Sequence, residues 1–73
     1  MQLKSLRLFM AVAETGSFVT AAKQLHTVQS NVTAHIKKLE EELGVQLIHR
    51  AGRVRPTSAG SALVEYAERM LTA

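Results

Sequence analysis

The chain has no cysteine and no aspartate among its 73 residues. Without cysteine, neither a disulfide nor a thiolate metal site can form. That agrees with a reducing compartment, and the cytoplasm is the expected location. Without aspartate, no Ser-His-Asp triad can be assembled. The histidines, His26, His35 and His49, include no pair at the i, i+4 spacing of a helical metal site. No glycine-rich phosphate loop comes after a strand-like run. The acidic cluster Glu40-Glu41-Glu42 reads as a solvated helix end rather than an acid–base pair. The chain is therefore not expected to be an enzyme, and neither a metal nor a cofactor is expected. No apolar run approaches the roughly 18 residues of a membrane span. The N-terminal MQLKSLRLFM lacks an uninterrupted apolar core with a small-residue cleavage site, so neither a signal peptide nor a membrane partner is expected.

The residues present fit one small domain. A chain of this length buries a modest fraction of its surface and is marginal unless something staples it. With disulfides excluded, oligomerisation is the remaining staple. The hydrophobic share of 47% is that of a globular domain, and the net charge of +3 is compatible with a nucleic-acid partner.

Apolar spacing predicts a first helix from Leu3 to Thr15, with Leu6, Phe9, Met10 and Ala13 on one stripe and Val12 widening it. Gly16 ends it and Ser17 can cap the next helix, Phe18 to Leu25. There Phe18, Ala21, Ala22 and Leu25 repeat at helical spacing, and the small alanines permit close helix–helix approach. His26-Thr27-Val28 is the turn. It lacks glycine, so an ordinary backbone path is expected, with Thr27 as the cap of the third helix. That helix, about Gln29 to Leu43, has a seam of Val32, Ile36, Leu39 and Leu43. Ser30, Ala34, Lys37 and Glu41 project away from that seam, with Thr33 on its flank and His35 beside it as a packing residue. Two helices joined by a short turn, the second with a free face, in a small basic chain, point to a helix offered to the major groove of DNA. Its acidic C-terminal end would repel phosphate, so contact is confined to its N-terminal half.

From Val45 to Thr57 the period changes. VQLIHR reads as a strand, Ala51-Gly52 as a turn and RVRPT as a return strand, with Pro56 restricting it to an edge or strand end. Arg50, Arg53 and Arg55 fall here without an acid, as in a basic wing beside a helix-turn-helix. Thr57-Ser58 caps a fourth helix, Ala59 to about Leu71, whose stripe is Leu63, Val64, Ala67, Met70 and Leu71, with Tyr66 at its edge. That stripe exceeds the needs of so small a core, which predicts a dimer. The chain stops at Thr72-Ala73 without a stop signal, as a fragment of a longer protein would.

The runs LRLFMAVAETGSFVTAAKQL, VQSNVTAHIKKLEEELGVQLIHR and PTSAG, in this order and spacing, resemble the DNA-binding domain of LysR-type transcriptional regulators. The resemblance covers Leu3 to about Leu71. It implies a mainly α, winged helix-turn-helix fold: a three-helix core, a two-strand wing and a C-terminal linker helix. The winged domain would span 1–57, and 58–73 would begin the linker helix that pairs two subunits and leads to an effector-binding domain absent from this chain. A small-molecule effector would bind in that missing domain. Double-stranded DNA and a second copy of the chain are the implied partners. Gln29 matches the glutamine that reaches base edges from the start of the recognition helix. Thr33 stands where serine is common, Arg53 matches the wing arginine at the minor groove or backbone, and Arg50 matches a strand-end arginine with either a phosphate or a structural role. The expected DNA-contacting set is Thr27, Gln29, Ser30, Thr33, Ala34, Lys37, Arg50 and Arg53. Departures from the family pattern are Val28 for serine, Ser30 for proline, Asn31 and His35 for smaller or variable residues, and Pro56 for leucine. A winged helix that binds protein rather than DNA is the alternative.

Overall fold

The computed structural model describes residues 2–72; Met1 and Ala73, the outer ends of the two expected segments, lie outside them. Its elements are α1 (Leu3–Thr15), α2 (Phe18–Gln24), α3 (Gln29–Leu43), β1 (Ile48–His49), β2 (Arg55–Pro56) and α4 (Ser58–Thr72). The three-helix core, two-strand wing and further C-terminal helix match the expected architecture.

α1 is the hub, packing against α2, α3, α4 and β2. Its buried side is broader than the expected stripe: Leu6, Leu8, Phe9, Met10, Ala11 and Val12 are all inside. The helix closes at Gly16, whose amide donates to the Val12 carbonyl at 2.8 Å. Ser17 then caps α2 as expected, its Oγ accepting from the Thr20 amide at 3.0 Å. Ala21 and Ala22 are buried, and their small side chains let α2 lie close to its neighbours.

The turn departs from expectation. His26 takes φ 55°, in the left-handed region, rather than an ordinary path. Its amide donates to the Lys23 carbonyl at 3.3 Å and the Thr27 amide to the Ala22 carbonyl at 2.9 Å. This pair of bonds closes α2 one residue early, with His26 where glycine more often stands. Leu25 therefore becomes the cap residue and stays 38% exposed. Thr27 does not cap α3 either. It lies one position too early, and its Oγ1 accepts instead from Asn31 Nδ2 at 3.0 Å. The cap position falls to Val28, which has no side-chain oxygen to offer.

Along α3 the seam holds for three residues: Val32, Ile36 and Leu39 are fully buried. Leu43, expected to continue it, lies past the edge of the core and is exposed. His35 packs as expected, its Nδ1 2.9 Å from the Ser5 hydroxyl on α1.

The wing ladder is shorter than VQLIHR and RVRPT suggest. Only Ile48↔Pro56 and His49↔Arg55 pair, antiparallel. Before that point the backbone is engaged elsewhere: the Leu47 amide donates to the Glu40 carboxylate at 2.7 Å, and the Thr57 hydroxyl donates to the Gln46 carbonyl at 2.6 Å. Thr57 also caps α4, its Oγ1 accepting from the Gly60 amide at 3.0 Å. Gly60 is required by space. A Cβ there would collide with the Leu47 carbonyl oxygen and approach the Pro56 Cβ to 3.2 Å, so only glycine lets α4 cross the wing base this closely. Leu63 and Ala67 bury on that crossing, while Val64 and Leu71 are half-buried. Met70, expected within the buried stripe, is exposed with Tyr66 because both face away from the core. No helix among the described residues is long and apolar enough to cross a membrane.

Candidate nucleic-acid interface

The surface centres on the first turns of α3. Gln29, Ser30, Thr33, Ala34 and Lys37 are all exposed. Ser30, Ala34 and Lys37 face away from Val32, Ile36 and Leu39, and Thr33 is on the flank of that seam; Gln29 is in line with the seam but is exposed because it starts the helix, one turn before the first buried residue, Val32. The Thr33 hydroxyl donates back to the Gln29 carbonyl at 3.1 Å and keeps its lone pairs free to accept. Thr27 is half-buried, with its hydroxyl engaged by Asn31. The first amides of a helix have no acceptor within it. At α3 no side chain of the cap residue supplies one, so that end can donate to an anion.

The wing supplies the second part. Arg53 comes directly after Gly52, whose φ of 70° makes the hairpin tip, and it is exposed. Arg50 is differently placed. Its Nη2 lies 3.1 Å from Glu40 Oε1 and its Nη1 3.5 Å from Oε2. Nη1 also donates to the Ile48 carbonyl at 3.4 Å, and the guanidinium carbon sits 5.8 Å from the centre of the Phe18 ring. Arg50 therefore joins the wing to both α2 and α3.

Glu40 is the other half of that joint. It is not a solvated helix end: its side chain is 14% exposed. One carboxylate oxygen accepts from the Leu47 amide at 2.7 Å and the Ile48 amide at 3.3 Å. Burial pushes this carboxyl up, but the Leu47 amide, the Arg50 guanidinium and the Ile48 amide together outweigh it and hold the carboxyl below its usual range. Glu41 and Glu42 remain exposed. In the sequence Glu40 looks like one of three equivalent glutamates. The one signal that separates it is its place four residues after the buried Ile36, which puts it at the edge of the seam.

The α2–turn–α3 unit with its flanking arginine hairpin can be compared with known proteins. Residues 3–61 match the family described as bacterial regulatory helix-turn-helix protein, lysR family. The chain belongs to the LysR family. Among LysR-family relatives, it is 45% identical over 73 residues to the HTH-type transcriptional regulator YofA of Bacillus subtilis (strain 168), covering 99% of this chain and 26% of YofA. It is 51% identical over 73 residues to an HTH-type transcriptional regulator from the ibpB-leuC intergenic region of Azotobacter vinelandii, covering 99% of this chain and 51% of that protein. The chain thus spans about a quarter of the first relative and about half of the second. Among solved structures it resembles the BenM DNA-binding domain in complex with benA site 1 DNA, with a TM-score of 0.95, 42% identity and coverage of 99% of this chain and 82% of that one. It also resembles the CbnR DNA-binding domain in complex with DNA, with a TM-score of 0.93 and 42% identity, covering 99% of this chain and 84% of that one. The expected fold is thereby borne out, and these relatives are named as regulators rather than enzymes.

The expected contact set divides on the structure. Gln29, Ser30, Thr33, Ala34 and Lys37 are exposed over the first turns of α3; Arg53 stands apart at the wing tip; Thr27 and Arg50 are tied into the frame.

Proposed function

We propose that this chain is the sequence-specific double-stranded DNA-binding part of a LysR-type transcriptional regulator, acting in the cytoplasm. One observation carries the reading: the side of α3 left free by the core is polar over its first two turns and is flanked by an exposed wing arginine. The likeness to domains solved with DNA supports it.

In this mechanism the N-terminus of α3 enters the major groove. Gln29 offers a carboxamide that pairs with adenine through a donor and an acceptor, discriminating by roughly 1–3 kcal/mol. Ser30 and Thr33 add short hydroxyl contacts, Ala34 permits close approach, and Lys37 meets phosphate. Arg53 reaches the minor groove or backbone, where shape is read. Thr27 and Arg50 chiefly hold the frame, although Arg50 keeps N–H groups that can meet a phosphate. No cofactor is proposed for this domain. Leu3, Tyr66 and Met70 are exposed around Leu6 in a shallow apolar hollow, the face on which a second copy would pair. An effector would act through a further domain of the full-length protein.

Selection of bound duplexes from a randomised library at two salt concentrations tests the reading. The wild type should enrich a two-half-site sequence, and its affinity should fall steeply with salt. Gln29→Ala should fold normally and lose preference at one position in each half-site. Binding indifferent to both sequence and salt would reject the reading and favour a protein-binding winged helix.

A further inference from the structure

Val28 is the most exposed large hydrophobic side chain among the described residues, at 64%. A single exposed valine ordinarily needs no explanation. This one occupies a position where its chemistry is wrong on two counts. It is the cap residue of α3, and valine has no oxygen to accept from the first-turn amides. The same chain caps α2 with Ser17 and α4 with Thr57, so hydroxyl caps are available to this fold. The neighbouring Thr27 does not compensate, because its hydroxyl is held by Asn31. Val28 thus gives up both burial and capping.

The position itself is well defined. The Val28 carbonyl accepts from the Asn31 and Val32 amides at 3.1 and 3.3 Å, which locks its backbone to the first turn of α3. Its side chain leaves the chain immediately before Gln29, at the tip of the helix. An apolar group there would meet only one apolar feature of the major groove, the C5-methyl group of a pyrimidine.

We infer that Val28 is a specificity-determining residue that packs against a thymine methyl group beside the base read by Gln29. The inference rests on the DNA-binding reading above. The contact takes the place of a hydroxyl's bond to phosphate or to the helix amides, and makes preference at one base step depend on a methyl group rather than on a hydrogen bond.

The test uses the duplex selected by the wild-type protein, with deoxyuridine replacing each thymine in turn. Deoxyuridine removes the methyl and leaves every base-pair hydrogen bond in place. At one thymine in each half-site the wild type should lose about fourfold in affinity, the worth of one buried methyl-sized group. Val28→Ser and Val28→Ala should bind the thymine and uracil duplexes equally at that position. Gln29→Ala should retain the uracil penalty there. Circular dichroism of the variants checks that they fold. If the wild type selects a sequence but no uracil penalty disappears in the Val28 variants, the inference is overturned and the DNA-binding reading stands. If the wild type selects no sequence, both fall together.

Discussion

Arg50 and Arg53 are close in sequence and opposite in role. Arg50 is tied to Glu40 and Phe18, whereas Arg53 stands exposed at the wing tip. Their substitution should separate accordingly. Arg53→Ala should weaken binding and lower the salt slope by about 1, with thermal stability unchanged. Affinities measured across a salt series check this; a slope equal to wild type would remove Arg53 from the interface. At this scale the sequence was legible where position alone decides a role. Ser30, Ala34 and Lys37 stand on a helix whose seam is plain, so their outward direction comes from spacing, and Gln29 is exposed because it begins that helix. His26 was not legible: its left-handed backbone is imposed by the two hydrogen bonds that close α2, and histidine advertises no such preference. Glu40 was hidden for a similar reason. Its partners are mainly backbone amides, which carry no sequence signature.

Among the elements, the wing is the least self-sufficient. Its ladder has only two residue pairs, and so short a hairpin is not stable alone. Glu40 stabilises it from α3. Charged hydrogen bonds of this kind contribute about 1.5–3 kcal/mol, so Glu40→Ala should lower the melting temperature by roughly 10 °C. It should also loosen the wing while leaving α1 to α3 helical. The pH dependence has a definite sign. The folded carboxyl has a lower pKa than the unfolded one. Its contribution is therefore complete above the ordinary glutamate value and is lost as pH falls through the lowered folded value. Glu40→Gln should be less stable than wild type at neutral pH, with the gap closing in acid. Urea unfolding at several pH values measures it, and a gap independent of pH would show that the carboxylate charge is not responsible. The element order was readable from periodicity and caps. The strand lengths were not, because backbone groups that VQLIHR could have used for a ladder are taken by Glu40 and Thr57.

For the molecule as a whole, the number of recognition helices sets a limit. The described residues hold one helix-turn-helix, so one copy presents one recognition helix, and reading two half-sites roughly 34 Å apart calls for two copies. The exposed face of Leu3, Tyr66 and Met70 is where pairing should occur. Met70→Glu and Tyr66→Glu should shift sedimentation of the protein towards monomer and weaken binding to a two-half-site duplex more than to a single half-site. A wild type that stays monomeric at high concentration would reject this face as the contact. The sequence marked α4 as over-apolar but could not divide its stripe. Which side chains face inward depends on the crossing that Gly60 allows over the Leu47 carbonyl.

The joint made by Glu40 and Arg50 has a mechanical consequence. It ties α3 and the wing together as the arms of a caliper, with Gln29 on one jaw and Arg53 on the other. Such a tool measures length as well as chemistry. Inserting one base pair between the two contacted stretches of a half-site moves them about 3.4 Å further apart along the duplex. Opening the caliper to match would break the Glu40–Arg50 bonds, so such an operator should bind more weakly, and more so where the intervening step is stiff.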